Sequence, residues 1–191
     1  TCVYPTCLAR RSYGRQLGTP WGPFIVLVCS RRRCPKMEIN GIAHIQLTVN
    51  DLQRATPFYE KVLGFMGMKA VVKAPNFLYM IGGRTAVGII RSSEENRTYA
   101  FDQRRIGLHH ICFRARSRED IDALHGFLLE HEVKVVHAPE DGPWAPGYYS
   151  VLFEDPEGIR LEVNFVPGKG HFEHPEQLPL KSMQGYQNYP A

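Results

Sequence analysis

The stretch "GIAHIQLTVNDLQRATPFYEKVLGF", residues 41–65, decides the fold. Its first half alternates. Ala43, Ile45, Leu47 and Val49 are apolar, whereas His44, Gln46 and Thr48 are polar, and only Ile42 breaks the rule. A period of two describes a strand with one face in a core and one face open. His44 therefore shares the open face with Gln46 and Thr48. The second half changes period. Leu52, Ala55, Phe58, Tyr59, Val62 and Leu63 recur at helical spacing, behind a cap from Asn50 or Asp51. Pro57 is tolerable in the first turns, and Gly64 is expected to end the helix. A histidine inside so apolar a strand needs a partner, either a backbone carbonyl or a metal.

Outward from this stretch, three short strands are expected at 67–72, 77–81 and 86–91, with turns at 74–76 and at Gly82-Gly83. The pattern then repeats. "HICFRA" at 110–115 matches "HIQLTV" at 44–49. A helix follows over 117–130, then strands at 133–137, 149–153 and 159–165, the last two joined by "EDPEG" at 154–158, a hairpin signal. The fold class expected is α+β: two paired βαβββ units, about 41–91 and 107–166, forming a cupped mixed sheet. Residues 168–191, rich in Pro, Gly and His, read as an irregular C-terminal arm.

The whole chain of 191 residues, 43% hydrophobic, is long enough to bury a core in one domain, expected over 37–167. No apolar run approaches the ~18 residues of a membrane span, so no membrane partner is expected. The net charge of +4 belongs to residues 1–36, which carry seven bases and no acid and leave −3 for the rest. A mildly acidic body argues against a nucleic-acid partner. Cytoplasmic location is expected, with organelle targeting the alternative if the Arg-rich segment 1–36 acts as a leader. Met37 is a plausible start. Cys2, Cys7, Cys29 and Cys34 lie in that leader at spacings wider than a zinc knuckle requires. Cys112 reads as a reduced, buried thiol.

Aligning the units puts His44 and His110 at the same place on the first strand of each. If the units pair about a pseudo-twofold axis, the two imidazoles face one another. In "GIRLEVNF", residues 158–165, Glu162 shares a face with Arg160 and Asn164, opposite Leu161 and Val163. Two imidazoles and a carboxylate suit one divalent ion of Fe, Mn, Ni, Co or Zn, with positions left for substrate. Each residue also has a plainer reading. A strand histidine is more often bonded to backbone, and Glu162 alone is an ordinary edge carboxylate. His109 must point away from His110 and reads as structural. His125 and His131 read as solvent-facing, and the His171-x-x-His174 pair as a weak metal motif.

From residue 41 to about 166, the stretches "HIQLTVNDLQRATPFYEKVLGF", "GLHHICFRA" and "FEDPEGIRLEV" resemble the vicinal oxygen chelate superfamily. That superfamily includes glyoxalase I, fosfomycin-resistance transferases, extradiol dioxygenases, methylmalonyl-CoA epimerase and bleomycin-resistance proteins. The resemblance implies a metal site on His44, His110 and Glu162. The fourth ligand of glyoxalase I and the epimerase would fall near residues 88–90, where no side chain can bind metal. The dioxygenase Tyr position holds Leu152, and the catalytic Thr position of fosfomycin enzymes holds Gln46. Bleomycin-resistance proteins lack the metal altogether.

The expected function is a divalent-metal-dependent enzyme acting on a small oxygen-chelating substrate, of lyase, isomerase, dioxygenase or transferase type. The alternative is a small-ligand-binding, sequestering protein on the same fold. Tyr148, Tyr149 and His137 are the candidate catalytic groups. Gln46, Arg91 and Trp144 are the candidate substrate contacts, Arg91 as an anion clamp and Trp144 as an apolar wall in "GPWAPGYY", 142–149. The units can pair within a chain or between two, and a homodimer is expected.

Overall fold

A computed structural model describes residues 39–168. The leader and its cysteines, and the arm beyond 168 with His171 and His174, lie outside the described residues. The element order is β1 (His44–Val49), α1 (Leu52–Phe65), β2 (Lys69–Ala74), β3 (Phe77–Gly82), β4 (Thr85–Arg91), β5 (Ile111–Arg114), α2 (Arg118–Glu130), β6 (Val135–Asp141), β7 (Tyr149–Glu154) and β8 (Arg160–Phe165). The two halves repeat one topology. The first sheet runs β1-β4-β3-β2 and the second β5-β8-β7-β6. In each, the first strand lies parallel to the last and the other pairs are antiparallel. This is the expected pair of βαβββ units. No described helix is long and apolar enough to cross a membrane.

Alternation along the strands sets two faces. Leu47, Val49, Val87, Ile89, Leu161 and Val163 are buried on the helix-facing side. His44, Gln46 and Thr48 stand exposed on the other. Asp51 caps α1, its carboxylate accepting from the Arg54 amide, and Ser117 caps α2 through the Asp120 amide. Pro57 sits inside α1 without ending it. The expected stop at Gly64 falls inside the helix. Gly67, with φ +85°, makes the turn, a backbone region where a Cβ is strained.

The halves join through their helices and the β7–β8 turn. Tyr59 of α1 is fully buried and donates its hydroxyl to Asp155 Oδ2 at 2.8 Å. The other oxygen of Asp155 accepts the amides of Glu157 and Ile159, both at 2.8 Å. The Asp51 amide donates to Glu157 Oε1 at 2.8 Å, and the rings of Phe65 and Phe127 stack at 4.2 Å. A core common to both halves results, joining Leu63 and Ile89 to Ile121, Leu128 and Phe153. Each such fully buried side chain contributes roughly 1.5–3 kcal/mol. The polar faces of both sheets are left out of this junction.

Candidate metal and proton-transfer site

Chemistry collects on the open face of the second sheet. β5 and β8 run parallel with Cys112 opposite Glu162, so His110, just before β5, sits diagonally from that carboxylate. Nε2 of His110 lies 3.1 Å from Oε2 of Glu162. The Tyr148 hydroxyl donates a short hydrogen bond to the other oxygen, Oε1. Burial pushes the Glu162 carboxyl up. Hydrogen bonds from His110, Tyr148 and Ser150, with the charge on His110, outweigh it and hold the group below the usual range. The Tyr148 phenol moves the other way, well above its ordinary value, through burial first and then its bond to Glu162. Tyr148 is therefore a protonated donor at neutral pH, not a base.

Cys112 departs from the expected buried thiol. It is exposed on this open face, because the pleat sends Ile111 and Phe113 into the core and Cys112 the other way. It is nevertheless crowded by protein atoms, and that desolvation, with the charge of Glu162, pushes the thiol far above its usual range. Asn164, buried on the same face of β8, draws the Tyr148 phenol back toward its ordinary value. Cys112, Ser150 and Asn164 were absent from the sequence-based set of site residues. Asn164 was signalled by sharing a face with Glu162.

His109 also departs from expectation. Alternation would aim it away from His110, yet its Nδ1 lies 2.7 Å from Nδ1 of His110, the rings meeting edge to face at 76°. The regular pleat starts only at Ile111, and Gly107 turns the chain with φ +142° just before it. Desolvation, then the charges of His110 and Arg160, hold the His109 imidazole below its usual pKa.

The remaining candidates are dispersed. Trp144 packs against the small cluster of Ala145, Tyr148 and Val166. Tyr149 turns to the helix side, where its hydroxyl donates to Asp122 at 2.7 Å and the Arg118 guanidinium covers its ring at 3.8 Å. The structure thus separates Tyr149 from Glu162. His137 lies opposite Leu152, which lies opposite Glu162, two strand spacings or about 10 Å away. Its Nδ1 is 3.7 Å from Glu140 Oε1. Arg91 is exposed at the end of β4.

His44 belongs to the first sheet, near Tyr79 with ring centroids 6.4 Å apart. It does not join His110 and Glu162 within one copy. Among the described residues, no three His, Cys, Asp or Glu groups gather closely enough to hold a metal. The repeat shows what differs between the halves. Gln46 pairs with Gly88 as Cys112 pairs with Glu162, so Gly88 occupies the carboxylate's place. A Cβ there would lie 3.2 Å from Phe77 and 3.3 Å from Tyr79, whose stacked rings fill the space. The fourth-ligand position therefore has no donor.

Residues 41–163 match the Glyoxalase/Bleomycin resistance protein/Dioxygenase superfamily. The chain belongs to this superfamily. The uncharacterized protein YqjT of Bacillus subtilis is 28% identical over 122 residues, covering 63% of this chain and 94% of that protein. The crystal structure of lactoylglutathione lyase from Agrobacterium tumefaciens matches with TM-score 0.52 and 27% identity, over 67% of this chain and 95% of that one. A glyoxylase/bleomycin resistance protein/dioxygenase domain from Frankia sp. EAN1pec shares the fold, with TM-score 0.57 and 24% identity over 67% and 98%. Members of the glyoxalase superfamily generally bind a divalent metal and act on small molecules. The His110–Glu162 pair fits part of such a site: one imidazole and one carboxylate, at 3.1 Å, on an accessible face.

Proposed function

We propose that this chain is a divalent-metal-dependent enzyme acting on a small substrate that chelates through two oxygens. His110 and Glu162 of one copy would hold the ion together with His44 of a second copy. The observation that carries this reading is the approach of His110 Nε2 to Glu162 Oε2, with Tyr148 on the remaining oxygen. The second copy is invoked because β1 and β5 are edge strands of their sheets, each bearing its histidine at the equivalent place. When bound, the ion would polarise the substrate oxygens and stabilise developing negative charge.

The chain's own residues supply the rest. Glu162 and His110 fix one ligand face. Tyr148 keeps its proton and, as a hydrogen-bond donor, fixes the Glu162 carboxylate so that Oε2 stays turned toward His110, with Trp144 in the same small cluster. Gln46, on the open face beside Gly88, orients substrate from the first sheet, while Arg91 and His137 belong to the rim. Tyr149 braces the loop from the far side through Asp122.

Metal content tests this. The purified wild type should retain a stoichiometric divalent ion that His110→Ala and Glu162→Ala lose. Equal metal in all three would end the catalytic reading. The sequestering alternative has one observation in its favour, the lack of a three-donor cluster within a described single copy. It predicts tight ligand binding without metal. Oxygen consumption with catechols, set against isomerisation of thiohemiacetals, would then sort the reaction type.

A further inference from the structure

Past β8 the chain leaves the sheet through Val166 and Pro167. The Ala115 amide still bonds the Asn164 carbonyl at 2.7 Å, but the proline has no N–H to carry a ladder further. The carbonyls beyond it need other donors. Arg114 supplies them: its Nη2 donates to the Val166 carbonyl at 3.1 Å and to the Gly168 carbonyl at 3.0 Å. The direction of both bonds is fixed, since a guanidinium only donates and a carbonyl only accepts. The fastened segment is a seat for the 142–149 loop. Gly147, at φ +71°, lies so near the proline that a Cβ there would come within 2.9 Å of Pro167 Cγ and Cδ. One residue on, Tyr148 shares a buried cluster with Ala145 and Val166 and reaches Glu162 with its hydroxyl.

We propose that Arg114 is a positioning residue for Tyr148: by holding residues 166–168 in place it fixes the surface on which the loop rests, and with it the approach of the phenol to Glu162. The consequence for metal binding rests on the metal reading above, whereas the seat itself does not. A role of charge alone has the opposite sign. Arg114 pairs with Asn164 as Cys112 pairs with Glu162, one step further along the same two strands. Its cation there repels a divalent ion, so neutralising it would by itself strengthen metal binding. Loss of positioning weakens metal binding instead, because the carboxylate loses the donor that orients it.

The test uses the full chain, with cobalt(II) as probe and proton NMR of the metal-free protein as a separate readout. Arg114→Met keeps the aliphatic stem and loses the donors, whereas the ammonium of Arg114→Lys can again donate to two carbonyls. Cross-relaxation between the Tyr148 ring and the Val166 methyls should be strong in wild type, weak in Arg114→Met and recovered in Arg114→Lys. Cobalt affinity should fall about tenfold in Arg114→Met, recover in Arg114→Lys, and fall no further when Arg114→Met is added to Tyr148→Phe. Circular dichroism checks the fold. Should Arg114→Met not fold, Arg114→Gln, whose shorter side chain falls short of both carbonyls, is read in its place with the same losses expected. An unchanged ring-to-methyl contact would overturn the proposal, as would a cobalt affinity that stays or rises. Glu162→Ala is measured in parallel. If wild type binds cobalt no better than that variant, the metal reading has failed, and the ring-to-methyl contact alone decides the role of Arg114.

Discussion

At the residue scale the pair Tyr148–Glu162 makes the sharpest claim. The tyrosine hydroxyl is one of the bonds that hold the carboxyl low, so Tyr148→Phe should raise the Glu162 pKa while keeping the ring in its cluster with Ala145, Val166 and Trp144. Carbon NMR of the carboxyl across a pH titration reads it. An unmoved value would mean the bond is not made in solution. Residue faces were legible wherever alternation is regular: Gln46, Glu162 and Asn164 all stand where a period of two puts them. Tyr148 and Tyr149 were not separable, because adjacent residues take opposite faces and only the register at the start of β7 says which is which. His109 lies against His110 rather than opposite it for the related reason that alternation does not apply outside a strand.

At the element scale the 142–149 loop depends on a missing side chain. A Cβ on Gly142 would lie 2.7 Å from the Tyr148 ring, too close for atoms that cannot swing away. Gly142→Ala should therefore lower thermal stability and displace the phenol from Glu162, seen as the same carboxyl shift that Tyr148→Phe produces. The β7–β8 turn gives a pH signature. Burial holds the Asp155 carboxyl above its usual range, against bonds from Tyr59, Ile159 and Glu157 that pull it down. A raised folded pKa means the folded state binds that proton more tightly than the unfolded chain. Stability relative to Asp155→Asn should be greatest below the unfolded value near ~3.9 and fall as pH rises through the folded one. Urea unfolding of both proteins from about pH 3 to 7 checks the sign. Tyr59→Phe should cost about 1.5–3 kcal/mol at neutral pH by the same assay. Both helices and all eight strands were readable in the sequence. Their ends were less so, since the stop at Gly67 rather than Gly64 is a matter of backbone φ, which composition does not reveal.

At the scale of the whole molecule, the reading turns on where the third ligand comes from. His44→Ala and His110→Ala should each lack metal alone. Mixed, and allowed to exchange subunits, they should regain about a quarter of wild-type content, because half the dimers are hybrids with one intact site of two. A site built within one chain would regain nothing. Symmetry of topology does not choose between a site within one chain and a site shared by two, because the repeat fixes which residues are equivalent and not which copies face each other. Gly88 carries the last implication. A divalent ion between two neutral imidazoles and one carboxylate keeps a net positive charge, which a second carboxylate in the first half would have cancelled. On the proposed site the substrate would complete the neutralisation, so the protein should favour molecules that arrive as, or become, monoanions at their chelating oxygens.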